Sequence, residues 1–311
     1  MPGKQPSHTG TGRISVMEMR PMSLHESGDS TGEVSLAHMF ATPEDVFGKS
    51  DADVEDMAWL CSRGGWPRGV SIGGDASLEI PFDYVRAICD EDVSRVDGVA
   101  RDPHVARLVL QEYARYTATM ASLSTMRGDL ARRGDVFSKD TFNSYVSAFR
   151  KIYAIDDLPP WTPSLHARSR VSRTPARFFC DPSIAAAAMG ASPQLLLRDA
   201  STLGMLFESL CVRDLRVYAE ACNGSVMRYH DSTGLEADIV VELRDGRYAL
   251  MEVKLGAAFV DEGCVSLRKL ASRLDTDVMG APAFSAVIVP GGYAYRRDDG
   301  VYVIPISCLA P

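Results

Sequence analysis

No phosphate-binding loop is present in these 311 residues. Such a loop needs Gly-x4-Gly-Lys-Ser/Thr, because its backbone N–H groups must cradle phosphates. The one Gly-Lys-Ser, at Gly48, Lys49 and Ser50, has Pro43 where the first glycine belongs. Neither bound nucleotide nor ATPase activity is therefore expected. Runs of 18 apolar residues are also lacking, which argues against a membrane-spanning helix. The start, Met1-Pro-Gly-Lys-Gln-Pro-Ser7, carries no apolar core, so no secretory signal is read there. The seven cysteines lie scattered without zinc-ligand spacing, and their odd number suits buried thiols in a reducing cytoplasm. His25, His104, His166 and His230 are too dispersed for a metal cluster, and no nucleophile elbow accompanies them. A soluble cytoplasmic protein is expected.

The charge is unevenly spread. A net −8 argues against a generic nucleic-acid coat. Residues 24–102 hold 17 Asp and Glu against 6 Lys and Arg, whereas residues 127–177 hold 10 Lys and Arg against 5 Asp. A basic stretch inside an acidic chain is what phosphate contacts require. Arg132, Arg133, Lys139, Arg150, Lys151, Arg170 and Arg173 are its candidate DNA contacts. A solvated surface and a protein-docking face remain alternative readings of the same charges.

Residues 1–12 read as a loose tail, and residues 13–24 as a short strand that stops at Pro21. Apolar spacing over 103–125 predicts a helix entered at Pro103. A second helix follows Ser138, with Phe142, Tyr145, Val146, Phe149, Ile152 and Tyr153 on one stripe. With a return segment at 173–179, these helices fit a winged helix-turn-helix. Gly190 stops a short helix, and Thr202 reads as the N-cap of a longer one reaching about residue 221. Strands near 226–230, 284–289 and 301–304, a hairpin at 234–254 and a helix near 260–274 complete the order αβββαβ. The expected fold class is α/β: a tail at 1–60, a helical and winged-helix-like module at 61–200, and the αβββαβ domain at 201–311.

The hairpin carries the chemistry. Ile239, Val241 and Leu243 alternate on its first arm, and Glu252 and Lys254 share one face of the second. If only Asp245 and Gly246 form the loop, Asp238 and Glu252 point to opposite faces. A three-residue loop, Arg244-Asp245-Gly246, instead places Asp238 opposite Glu252. The longer loop is expected, because a type I turn ending in glycine is common and the alternative leaves Asp238 without a partner. Glu236, two residues earlier, would join the edge of the cluster. A plain Glu252–Lys254 ion pair, with Asp238 capping a turn, is the competing account.

Asp238-x13-Glu252-x-Lys254 across a hairpin resembles the PD-(D/E)xK restriction-endonuclease-like fold. Leu203-Gly-Met-Leu-Phe-Glu208, Gly234-Leu-Glu-Ala-Asp238 and Met251-Glu-Val-Lys254 resemble the domain of unknown function 4143 family, which forms the C-terminal part of bacterial AAA-type ATP-binding proteins. Arg20-Pro-Met-Ser-Leu24 looks like the end of the ATPase core in such proteins. The phrases Ser62-Arg-Gly-Gly-Trp-Pro-Arg68 and Phe178-Phe-Cys-Asp181 are similar to others in the family, although the first also reads as a solvated glycine turn. The phosphate loop of the ATPase core is missing, so the resemblance admits a truncated gene product, or an ATPase supplied by another chain. It implies catalytic roles for Glu208, Asp238, Glu252 and Lys254, with Mg²⁺ held by Asp238 and Glu252 in a deoxyribonuclease. A regulatory or protein-binding module on the same fold is the alternative, since a fold does not fix function.

Overall fold

The computed structural model describes residues 18–44, 46–163 and 174–311. Of the stretch 13–24 expected as a strand, residues 13–17 fall outside these, as do Arg170, Arg173 and His166, while residues 18–23 form no strand and Leu24 opens a short helix. The helical part begins with α1 (Val54–Arg63), where Asp53 accepts hydrogen bonds from the Glu55 and Asp56 N–H groups and Asp56 closes the capping box. Helices α2 (Glu79–Ala87) and α3 (Pro103–Ala114) follow, the latter with Pro103 in its first turn. The single helix expected over 103–125 is in fact two. The chain leaves α3, turns through Ala118 at φ 61°, and restarts as α4 (Leu123–Arg132) on a Ser122 cap. Tertiary bonds hold that turn: the Ala118 N–H donates to Arg177 O, and Ala118 O accepts from Arg228.

Helix α5 (Lys139–Lys151) starts at Ser138, whose hydroxyl accepts from the Thr141 N–H. Antiparallel bridges Ile155–Phe179 and Leu158–Ala176 come next, so three helices are followed by a small β-pair in the order of a winged helix. Helix α6 (Pro182–Met189) packs on α1, α2 and α3. Helix α7 (Ala200–Ala221) is capped by Asp199, which accepts from the Thr202 N–H; Thr202 is the donor to the cap rather than the cap itself. Leu203, Leu206, Phe207, Leu210 and Leu215 of α7 are buried, each contributing about 1.5–3 kcal/mol.

One mixed sheet carries the rest. Its strands are β1 (Gly48–Ser50), β2 (Gly224–His230), β3 (Glu236–Leu243), β4 (Tyr248–Val253), β5 (Phe284–Val289), β6 (Gly292–Arg296) and β7 (Tyr302–Pro305). Their spatial order is β1-β6-β7-β5-β4-β3-β2, parallel at β4–β5 and β5–β7 and antiparallel elsewhere. Helix α8 (Val260–Ala271) packs against β3, β4 and β5. The core of this part therefore has the order α7-β2-β3-β4-α8-β5, which is αβββαβ, with β6 and β7 added as a hairpin. Gly48-Lys49-Ser50 is an edge strand on β6, and Val34 and Ser35 pair in parallel with Leu309 and Ala310.

The phrases at 20–24, 62–68 and 178–181 meet at one buried joint. Arg213 of α7 bridges Asp181 at 3.0 Å and Asp214 at 2.6 Å, all three side chains being buried. Asp214 accepts from the Leu24 N–H, and Asp181 accepts from the Gly65 N–H. The Met22 N–H donates to Gly65 O at 2.7 Å. Burying a carboxylate pair is tolerated here because each oxygen finds a cation or an N–H. Gly64 and Gly65 are required by closeness: a Cβ on Gly64 would stand 2.3 Å from Ser183 Oγ, and one on Gly65 2.1 Å from Met22 O.

Candidate functional site

The hairpin takes the three-residue register. Glu242 pairs with Tyr248 and Ile239 with Met251, which continues to Asp238 opposite Glu252. The Leu243 N–H donates to Arg247 O, the Gly246 N–H donates to Leu243 O, and Gly246 sits at φ 88°. A left-handed residue at that place favours glycine.

What alternation does not reveal is a bulge on the other side of β3. Met227 lies opposite Val240 and Tyr229 opposite Ala237, so the single residue Arg228 faces both Asp238 and Ile239. Such bulges bend a strand and re-aim its side chains. Here the bulge gathers acids around an arginine. The Arg228 guanidinium lies 3.4 Å from Glu236, 3.6 Å from Glu208 and 3.7 Å from Asp238. Arg228 has no motif around it, and only the spatial pairing exposes its place.

The remaining contacts tie the cluster together. Asp238 Oδ2 accepts from the Val253 N–H at 2.9 Å. Lys254 Nζ stands 3.0 Å from Glu252 Oε2, and Ser266 Oγ on α8 donates to Glu252 Oε1. Glu252 is 2% exposed and Asp238 8%. Burial, reinforced by the Asp238 charge, pushes the Glu252 carboxyl up to about 8. Burial and then Asp238 also raise Glu208 well above the ordinary carboxylate range. Burial works against the charge on Lys254, but Glu252 and Asp238 outweigh it and hold the ammonium protonated. A groove of about 430 Å³ opens just past Lys254, lined by Leu255, Gly256, Val260, Tyr293, Tyr295 and Arg297.

Among the described residues, no three His, Cys, Asp or Glu side chains gather closely enough to form a ready-made metal cage. The donor chemistry nevertheless suits a hard cation. Mg²⁺ is commonly held through one or two carboxylates and keeps several waters, and Asp238 and Glu252 supply that pair. Glu208 Oε1 is buried without a hydrogen-bond partner among the described residues, which is an oxygen left over for such a shell.

The basic residues of the helical module are largely engaged. Arg132 pairs with Asp129, Arg133 with Glu112 at 2.8 Å, Arg150 with Asp157 at 2.6 Å and Lys151 with Asp97 at 3.0 Å. Lys139 is exposed in the first turn of α5. Asp97 and Glu112 lie outside the 127–177 window over which the positive balance was counted, so the fold lowers that balance locally. No described helix is long and apolar enough to cross a membrane.

Residues 203–309, which hold α7 and six of the seven strands, match the family model described as Domain of unknown function (DUF4143). Residues 54–195, the helical module, match a second one, Domain of unknown function (DUF8612). No curated protein and no solved structure matches the chain.

Proposed function

We propose that the chain bears a metal-dependent phosphodiester-cleaving site of the restriction-endonuclease-like, PD-(D/E)xK type, acting on DNA. The register that sets Asp238 opposite Glu252, with Lys254 against Glu252, carries this reading. The αβββαβ order and Glu208 on the preceding helix support it. Asp238 and Glu252 would hold Mg²⁺, which supplies Lewis-acid polarisation of the phosphoryl oxygen and a water made more acidic. Lys254, kept charged by Glu252 and Asp238, offsets negative charge that develops on the phosphate. Glu208, raised well above the ordinary carboxylate range in the metal-free chain, would give up its proton and join the edge of the site when a cation binds.

DNA would lie across α5. Lys151 is half-exposed and such surface ion pairs are worth only about 0–1 kcal/mol, so a phosphate can displace Asp97 from Lys151. A protein partner that supplies an ATPase core would accord with the AAA-type resemblance. A second reading is favoured by Arg228, a guanidinium beside three of the acids. In that reading the fold serves as a recognition or regulatory module without catalysis.

Calorimetry with Mg²⁺ or Mn²⁺, beside plasmid and single-strand cleavage assays, separates the two. We expect binding and cleavage in the wild type and neither in Asp238→Ala/Glu252→Ala. Lys254→Ala is expected to keep the metal and lose about 10²–10³ in cleavage rate, the usual cost of one electrostatic donor. Metal binding without cleavage would leave the module reading in place, and no binding would make the acids structural.

A further inference from the structure

We propose that Arg228 is a resident cation of the acid cluster, so that the cluster takes one divalent cation rather than two. This rests on the metal-dependent reading above. Three carboxylates, those of Glu208, Glu236 and Asp238, face the guanidinium of Arg228, and a fourth, Glu252, stands against the ammonium of Lys254. With all four ionised around a bound cation the formal balance is −2, which one divalent ion cancels. Two-metal sites set their ions about 3.5–4 Å apart between shared carboxylates. The guanidinium already lies within 3.7 Å of three of the four acids.

Arg228 is built into this place rather than resting against it. It stands opposite the bulge that Asp238 and Ile239 form in β3, among the acids. Its N–H donates to Pro159 O at 2.9 Å, and its own carbonyl accepts from the Trp161 N–H. Its Nη1 donates to Ala118 O at 2.8 Å, in the left-handed turn between α3 and α4. Two segments of the helical module thus hold the arginine, and a guanidinium keeps its charge at any working pH. A mobile metal ion in the same position would have to displace a cation anchored from three sides.

The test is a titration of the full chain with MnCl₂ by calorimetry, for the wild type, Arg228→Gln, Arg228→Lys and Arg228→Gln/Glu208→Gln. We expect one Mn²⁺ per wild-type chain and two in Arg228→Gln, because removing the guanidinium leaves a formal −3. Arg228→Lys should bind one, and adding Glu208→Gln to Arg228→Gln should return the count to one. Two ions in the wild type, or one in Arg228→Gln, would overturn the proposal. Two ions in Arg228→Gln and none in the wild type would keep the resident cation while removing the metal-dependent reading of the native chain. No binding in any variant would overturn both. Thermal melts without metal check folding and give an independent reading. Arg228→Gln should lower Tm, and Glu236→Gln should recover part of that loss. Strictly additive effects of the two substitutions would show that the guanidinium does not neutralise Glu236.

Discussion

Glu252 keeps its proton up to a pH of about 8 because burial and the nearby Asp238 charge both oppose a further negative charge there. In the unfolded chain it would ionise near the ordinary value of about 4.3. Between those two values the folded state binds a proton that the unfolded state has released, so stability falls as pH rises. Its contribution is fully present below about pH 4 and is lost as pH passes through about 8. Glu208 acts in the same direction. Metal-free Tm, followed from pH 5 to 8, should therefore decline more steeply in the wild type than in Glu252→Gln, which cannot ionise. Parallel declines would mean that Glu252 ionises normally in the folded chain. At this scale the sequence put Asp238, Glu252 and Lys254 on one face through spacing, while Glu208 entered only through the family resemblance. It did not make Arg228 legible, because a one-residue bulge leaves no periodic mark.

Among the elements, those with a strong apolar period and a local cap were readable. Ser138 announces α5, Gly190 ends α6, and Asp245 and Gly246 mark the hairpin turn. The break between α3 and α4 was not readable, since Ala118 carries no turn signature and owes its backbone to bonds from Arg177 and Arg228. The joint at Gly64 and Gly65 shows the same dependence on distant chain. A Cβ at position 65 would meet Met22 O at 2.1 Å, a backbone atom that cannot rotate away. Gly65→Ala should then cost about 1–3 kcal/mol, the range for forced overpacking, measured by urea unfolding. A change under about 0.5 kcal/mol, as at an indifferent surface position, would show that the joint yields freely.

For the whole molecule, the N-terminal residues expected as a remnant tail are tied into the far end of the chain. Ser50 pairs with Gly292 and Val34 with Leu309, and Leu24 caps the buried Asp214. Removing residues 1–50 should lower Tm and broaden unfolding. It also bares the β6 edge beside the exposed Tyr293 and Tyr295, an arrangement prone to edge-to-edge pairing. A truncated chain that melts as cooperatively and as high as the full one would contradict this. By itself, the sequence determined what is local: the helices with a period and a cap, the hairpin and its register, and the spacing of Asp238, Glu252 and Lys254 along it. Tertiary structure alone decided which distant groups meet them. It placed Arg228 against three carboxylates, set Asp97 and Glu112 beside basic residues counted as free, and joined residues 20–24, 62–68 and 178–181 through Arg213. The physical reason is range. Hydrogen-bonded turns and pleats are decided within a few residues, whereas buried charge must find its partner wherever the folded chain brings one.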